Sequence, residues 1–201
     1  MRGQSVKYLQ KKDVKRIIRY LEKENKVVIL GIVKFSLNTG LRISDVLKLK
    51  FEDLESEFLK EKKTKKIKKI FFNNECRVSL EKLKQYYLKK GFKNYNTGYL
   101  FKGFKNYNTG YLFKSFKKNN KPISYQGVNF YIKKLKEELN INYPFNTHSF
   151  RKTWARTVYN KYDKDIGLVM KLLNHSNPTI TLRYIGIEED VISKVYDDVS
   201  F

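Results

Sequence analysis

Three short stretches of this chain carry side chains suited to handling a phosphate. Thr39-Gly40-Leu41-Arg42-Ile43-Ser44-Asp45 sets an arginine at the mouth of a tight turn. There, helix-opening amides and a guanidinium fork can grip a phosphate, with Asp45 one turn on to hold the guanidinium. His148-Ser149-Phe150-Arg151 spaces a histidine and an arginine at i, i+3 on one helix face, with Phe150 and Trp154 available as core anchors. Leu172-Leu173-Asn174-His175 follows, and Tyr184 comes nine residues after His175 in Thr181-Leu182-Arg183-Tyr184. Each residue alone has a plain structural reading: Arg42 as a helix cap, His148 as a hydrogen-bonded core histidine, Tyr184 as one of 15 tyrosines. Their joint occurrence carries the chemical signal. A metal site has little support, with two histidines 27 residues apart, one cysteine and no HExxH spacing.

The scaffold that must position these groups has 201 residues, enough for one domain with a proper core. Lysine and arginine number 43 against 20 acids, a formal charge of +23, while 41% of residues remain hydrophobic. That balance excludes a disordered tail and an acidic binder, and points to a polyanionic partner, nucleic acid first. The longest apolar run, Val27 to Val33, is far short of the ~20 residues of a membrane span, so a soluble protein is expected, with no membrane partner. With the lone Cys76 and no signal-like start, a reducing cytosol is the expected compartment.

Periodicity predicts helices over 7–24, where Val14, Ile17, Ile18 and Leu21 share a face, and over 27–37, ending at Gly40. A short helix over 43–49 follows, then strand-like pieces at 58–59 and 67–72 around a lysine-packed turn, which predict a small antiparallel sheet. Further helices are expected over 74–90, 124–139, 146–160, 165–173, 179–185 and 188–197, with Asn174 to Pro178 breaking the run. Residues 91–102 and 103–114 are the same twelve letters, GFKNYNTGYLFK, each with an Asn-Thr-Gly turn and a Tyr-Leu-Phe extended piece. This reads as a tandem duplication accommodated as a surface loop, or alternatively as a basic-aromatic arm touching DNA.

In their order and short-range spacing, TGLRISD, HSFR and LLNHSNPTITLRY make the chain, from about residue 35 onward, resemble the tyrosine recombinases, also called phage integrases. The resemblance implies a mainly α fold with a small antiparallel β-sheet (α+β), the catalytic-domain fold of that family. It also implies strand exchange on double-stranded DNA through a Holliday junction, without metal or nucleotide cofactor. Arg42 and Arg151 would hold the non-bridging oxygens of a pentavalent phosphate, supported by Asp45. Tyr184 would be the nucleophile of a 3′-phosphotyrosyl intermediate, His148 would assist proton removal, and His175 would donate to a phosphate oxygen. The 5′-oxygen would take its proton from a lysine of the hairpin turn. Lys63 sits best against the pattern, with Lys66 a rival, and Lys62, Lys65 and Lys66 read first as phosphate attraction.

Only 41 residues precede Arg42, so residues 1–201 are expected to be a single catalytic domain lacking the family's N-terminal DNA clamp, with the duplicated insert at 91–114. The apolar stripe Val191, Ile192 and Val195 on the tail helix suits either its own domain or a neighbouring protomer, as in a homo-tetramer on paired DNA sites. A bacterial or phage-encoded, cytoplasmic, DNA-associated protein is implied. The rival readings are a type IB topoisomerase-like relaxing enzyme and a non-cleaving DNA-binding accessory protein.

Overall fold

The computed structural model describes residues 6–51, 53–56, 58–60, 67–90, 111–115 and 121–199. The chain opens in an extended arm over residues 6–10, and helix α1 (Lys11–Lys23) follows. The sequence pattern predicted helix from residue 7. The arm stays extended because its amides are taken by distant acceptors: Lys7 N–H by the Pro144 carbonyl, Leu9 N–H by Thr153 Oγ1, and Gln10 N–H by Tyr143 Oη. Ile17 and Leu21 of α1 are buried, and so is Asp13, which accepts from Tyr143 Oη at 2.8 Å and from Arg16 Nη1 at 2.9 Å.

Helix α2 (Val27–Thr39) is apolar on almost every side and forms the centre of the core. It ends at Gly40, which adopts the left-handed conformation (φ 61°) and turns the chain into the single-turn helix α3 (Ile43–Val46). A second single turn, α4 (Asp53–Ser56), precedes strands β1 (Phe58–Lys60) and β2 (Ile67–Lys69), which pair antiparallel with Phe58 opposite Lys69. The chain is mainly helical, and among the described residues this pair and two isolated bridges are its strand pairing. The lysines of the turn, Lys62, Lys63, Lys65 and Lys66, lie outside the described residues, as does most of the duplicated insert.

Helix α5 (Asn74–Lys89), capped by the Asn73 side chain on Cys76 N–H, packs on α2. The end of the second repeat, Tyr111 to Lys114, is no surface loop. Leu112 and Phe113 are fully buried, and the Phe113 ring meets Phe35 of α2 edge to face at 5.4 Å. Helices α6 (Tyr125–Glu138), α7 (Thr147–Lys161), α8 (Ile166–Leu173), α9 (Pro178–Ile185) and α10 (Ile187–Asp198) complete the chain.

Two hydrophobic clusters hold these elements. The larger gathers α1 to α3, α5, α6 and Phe150 of α7, while the smaller consists of Ala155, Val169, Leu173 and Ile185, with Trp154, Ile166 and Tyr184 packed against it. Helix α10 buries none of its residues: Val191, Ile192 and Val195 are each more than half exposed.

Candidate active site

The site forms where the end of α2, the start of α7 and the α8–α9 corner meet. Asn146 caps α7 by accepting from His148 N–H, while Ser149 Oγ accepts from Asn146 N–H, so the reciprocal capping box fixes where this helix begins. Arg151, one turn in, is only 3% exposed. Its Nη1 donates to the Gly40 carbonyl and its Nη2 to the Leu173 carbonyl at 2.8 Å, so one guanidinium spans the end of α2 and the end of α8. His148 is exposed at the opening of the same helix. The i, i+3 spacing places the two residues one turn apart, yet only the arginine turns inward.

Arg42 is half-buried at the N-cap position of α3, and Asp45 is buried within that turn. Helix α8 ends on Asn174 in the left-handed conformation (φ 57°), which directs His175 back toward Arg151. Asn177 then caps α9 by accepting from Ile180 N–H, with Pro178 in the first turn, and so sets the face on which Tyr184 emerges. The His175 and Tyr184 rings meet edge to face, centroids 5.3 Å apart.

Electrostatics tie these four together. Burial lowers the proton affinity of His175 below its ordinary value, and the Arg151 and Arg42 cations lower it further. Burial raises the Tyr184 phenol, and the Arg151 cation, its hydrogen bond to the phenol and Arg42 oppose that rise. Arg42, Arg151, His175 and Tyr184 are thereby brought to one place. The hairpin lysines lie outside the described residues, and among the described residues no group of three His, Cys, Asp or Glu side chains is placed to hold a metal ion.

Two residues that the sequence did not single out complete the surroundings of the tyrosine. Lys152 is buried, donates to the Val6 carbonyl at 2.7 Å and sets its ammonium 5.2 Å from the centroid of the Tyr184 ring. Its place next to Arg151 was visible, but its direction depends on the arm, more than 140 residues away. Thr181, fully buried on α9, faces His175. A cavity of about 280 Å³ borders the tyrosine on the arm side, lined by Tyr8, Tyr143, Lys152, Glu189 and Asp190 among others. Lys152→Met is expected to lower the Tm by about 2–4 °C, the worth of one net hydrogen bond in a chain of this size, as read by thermal melting.

His175 also carries a pH dependence. Its folded-state proton affinity is depressed, so the unfolded chain takes up the proton first as pH falls through about 6.5. Its contribution to stability is present above that pH and is lost as pH falls through the lower, folded-state value. His175→Gln is expected to flatten the acid side of a Tm-against-pH curve.

Comparisons with known proteins bear on the family and the fold. The model of the phage integrase family matches residues 7–190. The chain is 33% identical over 198 residues to "Probable integrase/recombinase YoeC" of Bacillus subtilis (strain 168), covering 96% of this chain and 94% of that protein. It is 24% identical over 184 residues to the tyrosine recombinase XerC of Caldanaerobacter subterraneus, 90% of this chain and 48% of that protein. Among solved structures, the XerA recombinase superposes with a TM-score of 0.66 at 20% identity, over 98% of this chain and 65% of that one. A lambda integrase dimer bound to a core site superposes at 0.65 with 16% identity, over 92% of this chain and 61% of that one. The chain thus spans about half of that XerC and under two thirds of these two structures. The fold is that of tyrosine recombinase catalytic domains, enzymes that break and rejoin DNA strands. The chain belongs to the phage integrase family.

Proposed function

We propose that this chain cleaves and rejoins double-stranded DNA as a site-specific recombinase or integrase, through a 3′-phosphotyrosyl intermediate on Tyr184. The observation that carries the reading is the convergence of Arg42, Arg151 and His175 on the tyrosine at the α8–α9 corner. A phosphodiester under attack gathers negative charge on its non-bridging oxygens, and two guanidinium forks stabilise that charge. Arg151 is held by two backbone carbonyls, so it needs no reorganisation when charge develops. Asp45 backs Arg42 in the α3 turn, and His148 at the rim assists proton removal. Lys63, beside Lys62, Lys65 and Lys66 in the sequence between β1 and β2, supplies the proton to the departing 5′-oxygen.

The formal charge of +23 suits a DNA partner, and DNA-bound relatives such as the lambda integrase dimer support the same substrate. Residues 1–201 act as one catalytic domain in the cytoplasm. The uncovered stripe of α10 favours assembly on DNA: Val191, Ile192 and Val195 pack on a neighbouring protomer, building a tetramer on paired sites.

The test is to incubate the protein with nicked duplexes drawn from the DNA flanking its gene, quench in SDS and digest. A DNA-linked peptide containing Tyr184, found by mass spectrometry, is the expected result; tight binding with no linked peptide would overturn the reading. Val195→Glu is expected to leave the Tm of the free protein within about 2 °C, as for an exposed position, while removing the multi-protomer complexes seen by native gel on paired sites.

A further inference from the structure

We propose that Thr181 fixes the tautomer in which His175 enters the reaction, acting as a positioning residue for that ring; this rests on the function proposed above. The Thr181 hydroxyl has one proton, and it goes to the Asn177 carbonyl one turn back, at 2.8 Å. Oγ1 also lies 3.1 Å from His175 Nδ1, and only lone pairs remain on that side. Nδ1 therefore carries the hydrogen, and Nε2 presents a lone pair. The arginines and burial keep the ring neutral near pH 7. A neutral ring of this tautomer accepts at Nε2 and cannot donate there, so the donation to a phosphate oxygen expected from the sequence requires a prior proton transfer.

The Tyr184 phenol, edge to face with the ring, is the source. With His148 at the rim assisting, the Oη–H bond breaks as N–H forms at Nε2, the phenolate oxygen bonds to phosphorus as the P–O5′ bond breaks, and the 5′-oxygen takes its proton from the lysine acid. The imidazolium left behind then donates its Nε2–H to a non-bridging oxygen.

The chain has only two histidines, so ¹⁵N-histidine spectra of the DNA-free protein read the tautomer, with His148→Gln giving the assignment. The expected result is a protonated Nδ1 on His175 in wild type and in Thr181→Ser, and a shift toward Nε2–H in the near-isosteric Thr181→Val. Formation of the DNA adduct by Thr181→Val should fall about tenfold with DNA binding unchanged, and serine should restore it. An Nε2–H tautomer in wild type, or no change in Thr181→Val, would overturn the assignment. The spectra need no DNA, so an absent adduct in wild type would count against the proposed function alone.

The repeat carries a second, independent inference: we infer that the first copy can dock in place of the second, giving the fold two registers twelve residues apart. The docked piece is Tyr111 to Lys114. Tyr111 bridges to Lys50, Leu112 N–H donates to the Leu49 carbonyl at 2.8 Å, and Tyr87 Oη donates to the Leu112 carbonyl at 2.8 Å and accepts from Lys114 N–H at 3.0 Å. Phe113 packs on Phe35, and its carbonyl accepts from Ile123 N–H. All of these partners lie outside residues 91–114, and residues 99–102 are the same four letters, Tyr-Leu-Phe-Lys. The pocket therefore reads a sequence that the chain offers twice.

Reach permits the exchange. Residues 91–98 can span roughly 25 Å, and Tyr87, in the last turn of α5, itself touches the docked segment. Connecting lengths of 20 and 7 residues (91–110 and 115–121) become lengths of 8 and 19 (91–98 and 103–121). The products of the paired lengths are so close that loop closure separates the registers by only about 1.1-fold.

Phe101→Ala and Phe113→Ala are each expected to lower the Tm by no more than about 2 °C, because the intact copy docks, and the double variant by about 10 °C. A second measurement does not depend on the double variant folding. In Phe113→Cys the new thiol should react quickly, because Phe101 takes the pocket, and adding Phe101→Ala should protect it. Cys76, buried and with its thiol pushed up to about 12 by burial, gives the slow reference rate. A new thiol already protected in Phe113→Cys alone, or Phe113→Ala melting as low as the double variant, would overturn the exchange.

Discussion

Tyr184→Phe is expected to eliminate the covalent DNA adduct, a loss of at least about 10⁴-fold, while leaving DNA affinity within about threefold of wild type. The change removes one oxygen and keeps the ring. The edge-to-face contact with His175 and the place under the Lys152 ammonium belong to the ring, so the α8–α9 corner keeps its packing. What disappears is the phenol oxygen, the atom proposed above to bond to phosphorus. Burial is the largest influence on this phenol and raises its proton affinity, so the DNA-free enzyme holds it protonated at neutral pH. That makes proton removal part of the chemical step. Quenching wild type and the variant in SDS after incubation with nicked duplex gives the comparison, and an adduct of equal yield in the phenylalanine protein would move the nucleophile elsewhere.

The largest expected effect on stability comes from a residue with no functional group. Gly40 holds φ 61°, and a β-carbon built there would lie 2.0 Å from Cε3 and 2.3 Å from Cζ3 of Trp154. Both a strained backbone and a displaced indole follow from Gly40→Ala. The left-handed conformation alone costs about 1–2 kcal/mol, and moving a ring of the smaller cluster raises the total to about 3–5 kcal/mol. The Gly40 carbonyl is also an anchor of Arg151, so adduct formation should fall together with stability. Urea unfolding followed by circular dichroism measures the first effect, and a loss below about 1 kcal/mol would show that the indole can move aside freely.

How far the sequence foretold this arrangement depended on where each residue finds its partners. Gly40 as a helix stop, the break at Asn174 to Pro178, and the spacing of His148 and Arg151 on one helix were readable because turn chemistry and spacing are local. The inward turn of Arg151 against the outward His148 was not, because it is set by the carbonyls of Gly40 and Leu173, 111 and 22 residues away. The extended arm was read as helix for the same reason: amphipathic spacing persists through residues 7–10, but their amides are captured from the far end of the chain. Leu112 and Phe113 gave a usable signal, two large apolar residues in a segment otherwise polar enough for a loop. Thr181 gave none, since a threonine six residues after a histidine meets it only when a left-handed Asn174 and a capping Asn177 fold the corner tightly.

The core separates into two clusters, and the two halves of the site rest on different ones. Ala155, Val169, Leu173 and Ile185 are few, and the tail helix above them is fastened by surface ion pairs, Arg156 with Asp190 and Arg183 with Glu188. A unit so lightly anchored is expected to open at a smaller free energy than the helices around α2. In such an opening Tyr184 is expected to move away while Arg42, flanked by residues of the larger cluster, keeps its place. Arg151, bonded to the Gly40 carbonyl on one side and the Leu173 carbonyl on the other, ties the two clusters together.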